Sequence, residues 1–333
     1  MGRYAVIMSK SKFNKFLISM FFCIYIFFSV QIPWINNSPI YLDLDPFQYE
    51  YSLDSGLFEY RLKYNYNSFK DYVLNEWLWN YTNNFFSKFN ISGYFLFFVF
   101  YPFLIYYFNT LTLMLNGKAR YHIFLFYPYF LLFYFNQLRL AFAISISVFL
   151  FYFFRKHKLV WLIILIPSLI HTSILIFGTV MYLLNRVILL KINNLYKIIL
   201  CVFLGLLCCY LTGPVISDIL LLLGDRRFDL YDGSTWQSSL SSSIFWFFIL
   251  VILIIDVLKK QKIDFEQSVS ICFLSLTVFS VFFIGGYPYR YFSATFIFLI
   301  LAISKMNFRM KISTYILLFI GGIFVAKKSL GWF

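Results

Sequence analysis

The sequence predicts an all-α protein threaded repeatedly through a membrane, a single domain over residues 1–333 with about 10–11 transmembrane or re-entrant helices. Composition is the first reason. The 333 residues are 61% hydrophobic and 24% aromatic, only 13% are charged, and mean hydropathy is +0.77, a balance that water-soluble globular chains do not approach. The second reason is spacing, because apolar runs alternate with short basic clusters along the whole chain.

The first run, Phe13 to Val30, follows Arg3, Lys10, Lys12 and Lys15. It is too long for a signal-peptide core and ends in Gln31-Ile32-Pro33-Trp34 without a small-x-small site, so it reads as a retained first span. Further spans are expected at 94–115, 121–136, 139–154, 159–170, 172–190, 198–214, 244–258, 267–284, 291–304 and 313–326. Several are too short to cross a hydrocarbon core of roughly 30 Å at 1.5 Å per residue, which predicts broken or re-entrant helices in the middle of the chain.

Basic residues set the orientation. With the N-terminus inside, the cytoplasmic loops hold Lys118 and Arg120; Arg155, Lys156 and Lys158; Arg186, Lys191 and Lys197; Lys259, Lys260 and Lys262; then Lys305, Arg309 and Lys311. The alternation holds only if 159–186 turns back on itself. Pro167, which lacks a donor, and the polar run His171-Thr172-Ser173 supply a place to turn, so His171 is expected near the outer face at the tip of a hairpin. Extracytoplasmic loops are then expected at about 33–93, with seven acids, and 215–243.

The net charge of +14 does not indicate nucleic acid, because the cations form topological clusters rather than a basic face. The five cysteines, Cys23, Cys201, Cys208, Cys209 and Cys272, all lie in apolar runs without metal-ligand or redox spacing and read as packing residues. No cofactor or metal is called for.

Once the cytoplasmic clusters are assigned, the cations left outside near span ends before the C-terminus are Arg139, Arg226, Arg227 and Arg290. Arg139 lies in Asn136-Gln137-Leu138-Arg139-Leu140-Ala141, and Asn136, Arg139, Ala143 and Ser147 recur at helical spacing, polar at the outer end and small below. A guanidinium there suits bidentate capture of a phosphate, against the plainer reading of a snorkelling side chain above a packing seam. Arg290 follows the break Gly285-Gly286-Tyr287-Pro288-Tyr289, on the side of Arg139, where it reads as a second anion contact or an interfacial anchor. Arg226 and Arg227 have Asp225, Asp229 and Asp232 nearby and read as a neutralised loop or as substrate contacts. His171 stands at membrane depth beside Pro167 and is a candidate to orient a sugar hydroxyl or act as general base. In the first loop Asp43, Asp45, Glu50, Asp54, Glu59, Asp71 and Glu76 supply acid or base candidates, and the run from Tyr41 to Tyr51 is rich in aromatic and acidic residues, as carbohydrate-binding rims are.

The order of these features resembles the EpsG family, a branch of the Wzy-type O-antigen and capsule polymerases: Asp45 with Tyr49 and Tyr51, then Gln137-Leu138-Arg139-Leu140-Ala141, then Ile166 to Ile174 around His171. The usual Arg-Gln order is absent, since Leu140 follows Arg139 and Gln137 precedes it by two. The resemblance implies a metal-independent membrane glycosyltransferase of GT-C-like polymerase architecture in the bacterial cytoplasmic membrane. Its partners would be membrane lipid, an undecaprenyl pyrophosphate-linked glycan and a polysaccharide chain-length regulator. Arg139, Arg290, His171 and Asp45 would be catalytic, and Gln137, Tyr49, Arg226 and Arg227 would bind substrate. A lipid-linked oligosaccharide flippase and an O-antigen ligase are the alternatives. Among the predicted spans only Asp256 is acidic, beside Lys259 and Lys260, where a membrane-end ion pair is expected rather than proton coupling.

Overall fold

A computed structural model describes residues 45–64, 66, 68–223, 238–283 and 288–329, and no strand occurs among them. The first expected span, Asp43, Arg226 and Arg227 fall outside these residues. Four helices are long and apolar enough to cross a membrane: Phe95–Leu115, Asn194–Thr212, Leu240–Lys260 and Phe265–Phe282. The all-α membrane fold follows from these and from the shorter apolar helices packed among them.

From Asp45 onward the segment expected as the acidic first outer loop is helical. It folds into α1 (Asp45–Asp54), α2 (Leu57–Tyr64), α3 (Phe69–Leu74) and α4 (Trp77–Ser87), a helical cap on one end of the bundle. Aromatic side chains hold it there: Phe47 meets Phe98 edge-on at 4.7 Å, Trp79 lies 4.7 Å from Tyr101, and the Tyr101 hydroxyl donates to Asn83 Oδ1 at 3.0 Å. Offset and edge contacts of this kind add to the apolar area they bury.

From the cap the chain enters α5 (Phe95–Leu115), which begins with a turn of π-helix over Phe95–Phe100. The segment expected as one span at 121–136 is instead a 3-10 stretch, Ala119–Phe126, followed by α6 (Pro128–Asn136). Pro128 explains the division, because it favours the first turn of a helix and cannot continue one. A second break at Gln137 (φ −144°, ψ 49°) separates α6 from α7 (Leu138–Phe153). Asn136 therefore does not share a helical face with Arg139, whereas Ala143 and Ser147 lie buried on α7 below it.

The 159–186 segment does turn back. Only α8 (Val160–Ile163) and a 3-10 turn, Ile166–Leu169, precede His171, and α9 (Ile174–Leu189) returns. Ten residues from Val160 to Leu169 reach about 15 Å, half a bilayer core. The 3-10 turn packs against α3, α4 and α7, so the hairpin tip lies beneath the cap.

The second half is built around one helix. After α10 (Asn194–Thr212), α11 (Ile216–Leu223) and α12 (Leu240–Lys260) comes α13 (Phe265–Phe279), buried on every side from Phe265 to Thr277. Its hydroxyls are satisfied within the helix: Ser270 Oγ donates to Glu266 O, Ser275 Oγ to Ile271 O and Thr277 Oγ1 to Phe273 O. Gly205 of α10 crosses it so closely that a Cβ there would stand 2.2 Å from the Cys272 carbonyl oxygen. Cys208 also meets Cys272 at this seam, and all four described cysteines are buried and unpaired by disulfides, as packing residues would be. The chain ends with α14 (Pro288–Ala294), α15 (Phe296–Lys305) and α16 (Phe308–Ser329).

Charge marks the end opposite the cap. From Arg139 to Arg155, α7 and its C-terminal turn rise about 24 Å, and there Glu266 accepts from Tyr152 at 3.0 Å and pairs with Lys305 at 2.5 Å and Arg155 at 3.8 Å. Asp256 binds Lys260 at 2.6 Å, as the sequence suggested, and also the Asn307 amide at 2.8 Å. Glu266 is the unexpected member, since it starts α13 rather than ending a loop.

Candidate functional site

The cap and the α6–α7 break bring together residues from four separate parts of the sequence. Leu138, the first residue of α7, has an amide with no partner inside its own helix, and Gln137 provides no side-chain cap. Asp45 supplies one from the cap: its Oδ2 accepts the Leu138 amide at 3.2 Å and the Tyr49 hydroxyl at 3.3 Å. A carboxylate at a helix N-terminus is favoured by the aligned peptide dipoles. Burial nevertheless pushes the Asp45 carboxyl up to about 6, with the positive charges of Arg139 and Arg290 and the two hydrogen bonds pulling the other way. Burial likewise raises the Tyr49 phenol, with the Asp45 and Glu76 carboxylates adding to the rise and Arg139 opposing it.

Arg139 follows one residue into α7, and Tyr49, whose ring centroid lies 5.7 Å from its guanidinium carbon, flanks it. Its Nη1 is paired with the Oε2 of Glu76. In the sequence Glu76 is named only as one of seven acid or base candidates in the first outer loop and is not singled out among them. It joins α3 to α4 in a left-handed conformation (φ 56°, ψ 54°), a state uncommon for any residue with a Cβ. That turn points the side chain inward, where it is 2% exposed. The other carboxylate oxygen faces His171 Nδ1 at 3.8 Å.

His171 lies between the 3-10 turn and α9, and its Nδ1 accepts the Ser173 amide at 3.2 Å. A neutral ring so bonded carries its proton on Nε2.

No protein-family model, curated protein or solved structure matches this chain. The site must therefore be read from its own geometry.

Three of the four residues singled out as catalytic, Asp45, Arg139 and His171, thus gather around Glu76. Arg290, on α14, acts electrostatically on Asp45, and α14 packs against both α6 and α7. Tyr66 extends the group, since it faces Arg139 electrically, donates to the Asn75 carbonyl at 3.0 Å and accepts from Asn80 at 2.7 Å. Gln137 sits at the α6–α7 break with its amide turned back on the Asn136 carbonyl rather than presented outward. Tyr51, paired with Tyr49 in the sequence reading, is 70% exposed on the outer side of α1 and takes no part.

Two carboxylates, two guanidiniums and an imidazole converge here, and not every polar atom is satisfied. Arg139 Nε and Asn136 Oδ1 are buried without hydrogen-bond partners. Buried polar atoms are normally paired, and orphans of this kind mark where another group fits. A free N–H beside an occupied Nη1 offers half of the fork with which arginine grips an oxyanion.

Proposed function

We propose that this chain polymerises lipid-linked oligosaccharide repeat units, as a Wzy-type polymerase similar to the EpsG family, at the outer face of a bacterial cytoplasmic membrane. One observation carries the reading. Asp45, Arg139 and His171, picked out by resemblance from places 126 residues apart, come into one buried charged cluster at one end of an apolar bundle. The end opposite, with Arg155, Lys260, Lys262 and Lys305, has the basic character of a cytoplasmic face, which supports an outer position for the cluster.

In this mechanism the pyrophosphate of an undecaprenyl pyrophosphate-linked glycan enters beside Arg139, with Arg290 adding charge. An acceptor hydroxyl attacks the anomeric carbon, its C–O bond to the pyrophosphate breaks, and the lipid pyrophosphate departs with the electron pair. The guanidiniums stabilise the charge that develops on it, the kind of preorganised help that dominates many enzymatic rate enhancements. His171, beside Glu76, would hydrogen-bond an oxygen of the leaving group or the sugar. Asp45, committed to the Leu138 amide and Tyr49, positions Arg139 rather than reacting.

The test is the surface-polysaccharide ladder of a deletion strain. Collapse to core plus a single repeat, restored by the wild-type gene, is the expected result. Long lipid-linked chains that fail to reach the core would identify a ligase instead, and an unchanged ladder would remove the polymerase reading.

A further inference from the structure

Arg139 is claimed twice. Its Nη1 holds Glu76, while its Nε is buried without a hydrogen-bond partner and, in the polymerase reading, is the N–H left for an oxyanion. A phosphate oxygen pair uses Nε and an Nη together, so full engagement of an anion competes with the carboxylate already there. Glu76 is held in this competition by a left-handed turn that a residue with a Cβ rarely adopts, and such strain persists only where surrounding structure fixes it. Around it the Trp79 and Asn80 amides bond the Glu76 carbonyl at 3.1 and 3.3 Å, so the backbone is anchored, and the carboxylate spans Arg139 through Oε2 and His171 through Oε1.

We propose that Glu76 is a displaceable counter-ion and the general base of the transfer. This rests on the polymerase reading of the site. The incoming pyrophosphate takes the Arg139 guanidinium through Nε and Nη, and Glu76 is released toward His171 and the acceptor. As the acceptor oxygen forms its bond to the anomeric carbon, its proton passes to Glu76, and the bond from that carbon to the pyrophosphate oxygen breaks. When the lipid pyrophosphate leaves, Glu76 gives its proton to water and pairs with Arg139 again. The base is therefore masked by Arg139 until a donor is bound, so an acceptor or water is not activated at an empty site.

The experiment uses the full chain, purified in lipid nanodiscs, with inorganic pyrophosphate as the binding probe and lipid-linked repeat units extracted from the polymerase deletion strain as substrate. Glu76→Gln, which removes the competing charge and the base together, is expected to bind pyrophosphate about tenfold more tightly than wild type while polymer formation falls on the order of 100-fold or more. Glu76→Asp keeps a carboxylate and is expected to retain part of the turnover, which also guards against a fold defect in the glutamine variant. Arg139-dependent pyrophosphate binding that is unchanged or weakened in Glu76→Gln would overturn the exchange while leaving the polymerase reading intact. Pyrophosphate binding indifferent to Arg139→Ala would remove the site reading itself.

Discussion

At the scale of single residues, the distinction between Arg139 and a lysine is geometric. A planar fork can serve Glu76 and an incoming anion from different nitrogens, whereas an ammonium is a point charge. Arg139→Lys is accordingly expected to keep the ion pair and the fold but lower polymer formation by about 10- to 100-fold, read as repeat units joined per enzyme per minute. Asp45 gives a pH dependence. Its carboxyl titrates at about 6 in the folded protein against 3.8 for an ordinary aspartate, so between those values the folded chain keeps a proton that the unfolded chain has lost, and stability falls as pH rises through the window. The ionised form is the better cap for Leu138 and the better partner for Arg139, so activity should rise as pH passes about 6. Asp45→Asn should flatten that limb of the profile, and a profile unchanged by the substitution would contradict the assignment. Arg139 and His171 stand out in the sequence because each breaks a local pattern, a lone cation outside the basic clusters and a histidine in an apolar run, whereas Asp45 stands out from the other acids only through the family resemblance. Glu76 broke none. What singles it out is a positive φ and burial, and neither is written in residue type.

At the scale of elements, sequence and structure part where backbone geometry overrides hydropathy. Apolarity found α5, α7, α10, α12 and α16 to within a few residues, because continuous burial or lipid exposure leaves a continuous apolar run. It misread 121–136, where Pro128 starts a new helix, and it took α1 to α4 for a loop because their inward faces are aromatic and asparagine-rich rather than aliphatic. The α10–α13 seam yields a prediction of its own. Since a Cβ at Gly205 would meet a backbone carbonyl rather than a flexible side chain, Gly205→Ala must push two helices apart and should cost about 1–3 kcal/mol, seen as a lower midpoint of thermal unfolding in detergent. At the far end, Lys305→Met would leave Glu266 with Tyr152 and a distant Arg155. Because Lys305 is itself partly solvated, a loss of about 2–3 kcal/mol is expected, below that for a wholly buried pair. An unchanged unfolding midpoint in that variant would show that the network is dispensable.

Among the described residues the buried acids Glu76, Asp256 and Glu266 fall into two sets separated by an apolar bundle. One set, around Asp256 and Glu266, is closed: each acid is matched by cations, amides or hydroxyls, as befits a clamp where α7, α12, α13 and the α15–α16 turn meet. The other set, under the cap, is open, with Arg139 Nε left over, and that asymmetry is why the cap end and not the clamp is taken as the working site. The most direct measurement is polymerisation by the purified chain in nanodiscs supplied only with lipid-linked repeat units, without added metal. Wild-type protein should build a ladder of lengthening chains and release lipid pyrophosphate in equal number to the bonds formed, while Arg139→Ala and His171→Ala, folded to the same unfolding midpoint, should leave single repeats. Lengthening that survives both substitutions, or no lengthening by a wild-type protein that restores the ladder in cells, would contradict a polymerase site built on Arg139, Glu76 and His171.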